Sequence, residues 1–227
     1  MGLFPLGDAS RRPMHFPFVT LSLIVINVFV FVLEIIGGDA LVFKWAAVPA
    51  NIVAGHRWIT IFTAMFMHGG WSHLIGNMVF LWAFGPEIED AMNPRRYLIF
   101  YLAGGFVAML AQVASSPGSM VPTLGASGAI AAVMGGFMVT YPRDRIRSLL
   151  FIFFFVKVTQ IPAAAMIGFW FLIQLVNAGM VAPVQTGGVA YLAHVGGFVF
   201  GALTARLLED PERVAVLKIP RFSSPPA

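Results

Sequence analysis

Between Phe16 and Ile36 the chain stays predominantly apolar for long enough to cross a bilayer, which takes about 20 helical residues. No other stretch constrains the fold as much. The segment ahead of it, residues 1–15, carries Arg11 and Arg12 among prolines. It shows no short apolar stretch followed by a small-residue cleavage site, as a secretory signal would. The run is therefore expected to be retained as a first transmembrane helix, with Glu34 at its far end within reach of water. Composition agrees: of 227 residues, 59% are hydrophobic and only 11% are charged. Globular domains carry about 25% charged residues, so this chain is too apolar for a water-facing surface all round. A single-domain, all-α polytopic membrane protein is the expected class.

Residues 38–67 mix Asp39, Lys44, Pro49, His56 and Arg57 with aromatics. They read as a long, partly interfacial loop, with Trp45 and Trp58 suited to the headgroup level. Further spans are expected at about His73–Ile88, Tyr97–Ala114, Ala126–Tyr141, Ile161–Met180 and Val189–Leu208. Residues 149–160, apolar but interrupted by Lys157, read as an interfacial lead-in to the fifth span. An uncharged Gly/Pro loop to Gly188 separates spans five and six. The domain division is then 1–15 as a cytoplasmic segment, 16–208 as the membrane domain and 209–227 as a cytoplasmic tail.

Lys and Arg set orientation, because they accumulate on the cytoplasmic side. In a six-span layout Arg11, Arg12, Arg95, Arg96, Arg143, Arg145, Arg147, Lys157, Arg206, Arg213, Lys218 and Arg221 share one side, and only Lys44 and Arg57 fall opposite. Both termini are expected to be cytoplasmic. The net charge of +4 is no nucleic-acid signal, since the basic residues sit between apolar runs. With no cysteine, neither disulfides nor a thiolate metal site can form.

Polar residues inside spans are functional hypotheses by default. Four stand out: His73 and Asn77 at the head of span two, Ser127 at the head of span four, and His194 in span six. All three spans enter from the outer side, so the four groups share one depth. His73 and Asn77 are i, i+4 and share a helix face. His194, Gly197 and Gly201 line one face of span six, and Ser127, Ala131 and Gly135 line one face of span four. Packing these small-residue stripes together would carry the Ser127 hydroxyl to the His194 ring. Span four is also short, about 24 Å at 1.5 Å per residue against a core of about 30 Å. Its serine is then recessed in a site that must admit water.

Each residue has a plainer reading. Ser127 could be helix packing, His194 an interhelical hydrogen-bond partner, and His73 with Asn77 a tie from span two to a loop. His68 and His73, i, i+5 at a loop–helix junction, make poor metal-ligand geometry. A small transporter would need polar residues in the inner half of the spans as well, and there the sequence offers none.

Taken together, the segments resemble the rhomboid family of intramembrane serine proteases. His68-Gly-Gly-Trp-Ser-His73-Leu-Ile-Gly-Asn77 is similar to its HxxxN segment, Gly125-Ala126-Ser127-Gly128 to its GxSG, and Ala193-His194-Val195-Gly196-Gly197 with Gly201 to its AHxxG. The likeness covers roughly residues 14–208. It implies a Ser127 nucleophile, a His194 general base, and oxyanion donors from the Ser127 N–H, His73 and Asn77. No carboxylate is placed to orient His194, so a dyad is implied, without metal or cofactor. Transmembrane proteins would be the substrates, and a bacterial plasma membrane the setting. Trp170 and Phe171 fit the family's proposed lateral gate. The family also allows a second reading, a catalytically inactive binder of membrane proteins. Two positions depart from its pattern: Ala131 stands where an aromatic often packs on the histidine, and Arg57-Trp58 reverses a common Trp-Arg pair.

Overall fold

A computed structural model describes residues 2–152, 155–180 and 189–217. The loop at 181–188 and the tail from 218, with Lys218 and Arg221, lie outside the described residues. The chain runs β1 (Gly2–Asp8), α1 (Phe18–Trp45), α2 (Pro49–Val53), α3 (Thr60–Thr63), a 3₁₀ turn (Ala64–Phe66), α4 (Trp71–Met92) and α5 (Pro94–Ser115). It continues through α6 (Ser127–Thr140), β2 (Arg145–Ile152), β3 (Phe155–Pro162), α7 (Ala163–Met180), α8 (Tyr191–Leu208) and α9 (Pro211–Leu217). The molecule is a mostly helical, multi-pass membrane bundle. Helices α1, α5, α7 and α8 are long and apolar enough to cross a membrane on their own. Helix α4 is long enough but carries His73, Asn77 and three carboxylates, and α6 has only 14 residues. Side chains such as Phe29, Ile36, Phe169 and Leu203 point outward at more than half exposure, the surface that lipid tails require.

The core forms where α6 is enclosed. Its apolar residues run all round the helix, the pattern of a helix buried on every side. Ala131, Ala132, Val133 and Phe137 are fully buried. Helix α8 approaches it backbone to backbone: a Cβ at Gly201 would overlap the Ala132 carbonyl, and one at Gly197 would overlap that of Gly128. Small residues permit such contact and larger ones forbid it. The seam therefore runs through Gly128, Ala132 and Gly135: it keeps Gly135 of the expected Ser127–Ala131–Gly135 stripe, and Gly128 and Ala132 take the closest backbone contacts in place of Ser127 and Ala131.

Three segments differ from expectation. Residues 38–45 are helical: α1 continues past a kink at Gly38 (φ 60°) to Trp45. The rest of the expected 38–67 loop folds into α2, α3 and the 3₁₀ turn, burying Ile52, Ile61, Ala64 and Met65. Arg57 donates to the carbonyls of Phe43 and Lys44, which ties this segment to the end of α1. The supposed lead-in is a β-hairpin. Strands β2 and β3 pair antiparallel from Arg145↔Pro162 to Ile152↔Phe155. Strand β1, in the N-terminal stretch, adds to the other edge of β2. The β-branched and aromatic residues there suit a pleated surface, and Pro162 closes the last strand where no further ladder bond is needed.

The same end of the bundle gathers the carboxylates of α4. Glu89 accepts the backbone N–H of Val19 and Thr20 (both 2.8 Å) and the Thr20 hydroxyl (2.8 Å), so it caps α1 from another helix. A negative group at a helix N-terminus satisfies free donors and complements the dipole. Asp90 accepts from the Met14 N–H at 2.6 Å, with His15 Nδ1 at 2.6 Å and Arg213 at 3.6 Å. The ends of the described chain thus meet at one face of the bundle.

Candidate active site

Ser127 is the first residue of α6, reached through a turn that glycine makes possible. Gly125 has φ +132°, a conformation that L side chains rarely adopt. It donates its N–H to the Ala64 carbonyl at 2.9 Å, fixing the turn to the buried loop after α3. A further bridge, Ala47 with Thr123, pins the approach to that turn (3.0 and 2.7 Å).

His194 lies one turn into α8 and is 8% exposed. Its Nε2 is 2.7 Å from Ser127 Oγ. The two residues singled out on separate helices are therefore in direct hydrogen-bond contact, within the 2.6–3.2 Å range for a nucleophile and its base. The glycine seam between α6 and α8 is what allows this distance.

What holds the ring was not legible in the chosen motifs. His194 Nδ1 is 2.8 Å from Gln174 Oε1 on α7. The Trp170 ring lies beside it, with centroids 5.8 Å apart and planes 37° apart, and Tyr191 meets it edge-on at 6.5 Å. An aromatic therefore reaches the histidine from α7, while Ala131 on α6 is fully buried. Phe171, the other residue matched to a gate, stacks on Phe198 of α8 at 4.1 Å. Gln174 sits in an apolar span, one turn after Trp170 on the same face. The rule that polar residues within spans deserve scrutiny would have found it.

His73 approaches from α4. A Cβ built at Gly125 would lie 2.9 Å from His73 Nε2 and 3.6 Å from Ser127 Oγ, so glycine there leaves space for the ring beside the serine. The Gly69 N–H donates to His73 Nδ1 at 3.4 Å. With Nδ1 accepting, the neutral ring carries its proton on Nε2, the nitrogen facing Gly125. Asn77, one turn further along α4, is 8% exposed, and its Nδ2 has no hydrogen-bond partner among the described residues.

Glu34 corrects the expectation of a wetted residue. It is 5% exposed, and its carboxylate accepts the His68 backbone N–H at 3.1 and 3.2 Å. It thereby ties the second half of α1 to the segment entering α4, where His68 packs edge-on against His73 at 5.1 Å. Beside Ser127 lies a cavity of about 20 Å³, lined by Met65, Gly105, Ala108, Met109, Gly128 and Ala129 among others. That is room for about one water or a methyl-sized group.

A serine hydroxyl thus contacts a buried histidine, with the His73 ring of a third helix beside them, inside a membrane bundle. Residues 55–210, more than half of the chain, match the Rhomboid domain, and the chain belongs to the rhomboid family. It is 32% identical over 111 residues to the Rhomboid protease GluP of Bacillus subtilis, covering 48% of this chain and 21% of that protein. It is 30% identical over 149 residues to the Rhomboid protein 1, mitochondrial, of Saccharomyces cerevisiae, covering 64% and 40%. To the human Presenilin-associated rhomboid-like protein, mitochondrial, it is 29% identical over 140 residues, covering 60% and 34%. The chain thus spans less than half the length of each of these relatives.

Proposed function

We propose that this chain is an intramembrane serine endopeptidase that hydrolyses peptide bonds in or near transmembrane segments of membrane-protein substrates. The observation that carries the reading is the 2.7 Å contact between His194 Nε2 and Ser127 Oγ. In the first step Ser127 Oγ attacks the scissile carbonyl carbon while its proton passes to His194 Nε2. The carbonyl π bond opens to an oxyanion, met by the Ser127 N–H, His73 Nε2–H and Asn77 Nδ2. Collapse re-forms the carbonyl and breaks the C–N bond, and the imidazolium gives its proton to the departing amine. Water, deprotonated by His194, then attacks the acyl ester and frees Ser127. The small cavity beside the serine suits a substrate residue no larger than alanine at the carbonyl side of the cut.

The reading includes six spans, with residues 16–208 as the protease domain and both termini cytoplasmic, supported by the Lys/Arg asymmetry. Cleavage then falls toward the outer end of the substrate helix. For its setting we propose a bacterial plasma membrane, supported by the Bacillus relative; an organelle membrane is the alternative that the mitochondrial relatives suggest. An inactive membrane-protein binder is the competing function.

A fluorophosphonate or isocoumarin probe separates the two functions. It should label the purified parent at Ser127 and leave Ser127→Ala unlabelled, and His194→Ala should label far more slowly. Ser127→Ala should cut no helix-destabilised transmembrane substrate in liposomes, while remaining folded. Full turnover by Ser127→Ala would sink the proposal.

A further inference from the structure

We infer that Gln174 on α7 is the positioning residue of the site, fixing the tautomer and orientation of His194 so that Nε2 presents its lone pair to Ser127. The inference rests on the Ser127–His194 reading above. Its basis is a chain of two hydrogen bonds whose direction follows from chemistry. Gln174 Nε2 donates to the Trp170 carbonyl at 3.3 Å within α7. That contact turns the amide oxygen away from its own helix, and Oε1 faces His194 Nδ1 at 2.8 Å. A carbonyl oxygen only accepts, so Nδ1 must carry the proton. The neutral ring then has its lone pair on Nε2, 2.7 Å from the hydroxyl it is to deprotonate. Trp170, four residues earlier on the same face, lies beside the ring.

The role is the one a buried carboxylate plays in a triad, with a difference in charge. A neutral amide orients the imidazole and accepts from it when protonated, yet adds no full charge to stabilise the imidazolium. Its loss should therefore cost about 10–100-fold in kcat, less than the ~10⁴ seen when a triad histidine is forced into the wrong tautomer. Substrate affinity should change little, since Gln174 Oε1 is engaged by the histidine. Gln174 is also the one buried residue in the second half of α7 among the described residues. The orienting contact therefore reaches His194 from a helix whose neighbouring side chains face outward.

Two variants with opposite expectations provide the test. Gln174→Met keeps the length and apolar contact but has no comparable acceptor; Gln174→Glu keeps the acceptor. With a transmembrane substrate in liposomes, Gln174→Met should lose about 10–100-fold in kcat at near-parental KM, and its Ser127 should react correspondingly slowly with a fluorophosphonate. Gln174→Glu should recover most of that loss. A purely structural residue predicts the reverse order, with methionine tolerated in an apolar span and a buried carboxylate harmful. Thermal unfolding in detergent checks that each variant is folded; should methionine unfold the protein, Gln174→Ala is read in its place. A folded acceptor-free variant with parental kcat overturns the inference. If Ser127→Ala is inactive in the same assay, the serine–histidine reading survives that result; if Ser127→Ala is active, both fall.

Discussion

Asn77 holds a buried amide nitrogen with no hydrogen-bond partner among the described residues. Leaving a buried donor unsatisfied costs about 1–3 kcal/mol, a cost offset if a partner arrives during the reaction. An oxyanion is such a partner. Replacing Asn77 by alanine should lower kcat by about 10²–10³, the usual cost of one oxyanion donor. KM and the unfolding temperature should stay near parental values. A rise in KM alone would show that Asn77 binds substrate rather than the transition state. Ser127, His194, His73 and Asn77 were legible because polar groups at matched depth stand out against apolar spans. Gln174 obeys the same logic but lies on α7, apart from the three segments that carry the other four residues. Glu34 misled by position: the end of an apolar run suggests water, and only the fold shows that the run continues as helix and that His68 covers the carboxylate.

At the scale of elements, helices were easier to read than strands. Five of the six expected spans match helices to within a few residues at each end, whereas α1 runs past the expected Ile36 to Trp45. The hairpin β2–β3 was not legible, because an apolar run with β-branched and aromatic residues fits an interfacial segment as well as a strand. Its partner β1 is far away in sequence. The small-residue stripes gave the right pair of helices and the right contact at Gly135, while Gly128 and Ala132 replaced Ser127 and Ala131 at the closest approach because small residues surround α6 on several faces. Carboxylates at the end of α4 read as a span terminus, whereas Glu89 acts across the bundle to cap α1. Thr20, which it holds, is fully buried, so water cannot replace the lost acceptor there. Glu89→Ala should cost on the order of 3 kcal/mol and lower the unfolding midpoint clearly in detergent. Glu212→Ala, at an exposed position on α9, should leave it unchanged. Equal midpoints for the two would refute the cap.

Across the whole molecule, α6 joins two differently built ends. Its first residue carries the hydroxyl that contacts His194, and its last turn meets a charged latch that fastens the sheet to the bundle. Arg11 lies over the Tyr141 ring at 4.0 Å and donates to Asp144, with Nη2 to Oδ1 at 2.7 Å. Asp8, the last residue of β1, stands 3.6 Å from the same guanidinium. Two carboxylates thus crowd one arginine. Burial, reinforced by Asp144, pushes the Asp8 carboxyl up from 3.8 to about 7. A carboxyl raised in the folded state holds its proton where the unfolded chain has lost it. Its contribution to stability is therefore complete below about pH 4 and is lost as pH rises through about 7. Asp8→Asn, neutral throughout, should remove this dependence. Unfolding midpoints of parent and variant, taken from pH 4 to 8 in one detergent, should diverge: the parent falls with rising pH relative to Asp8→Asn. All other titrating groups are common to both proteins, so the difference between the curves reports Asp8 together with its interactions with Asp144 and Arg11. Parallel curves would mean that the latch closes with both carboxylates charged and that Arg11 alone balances them.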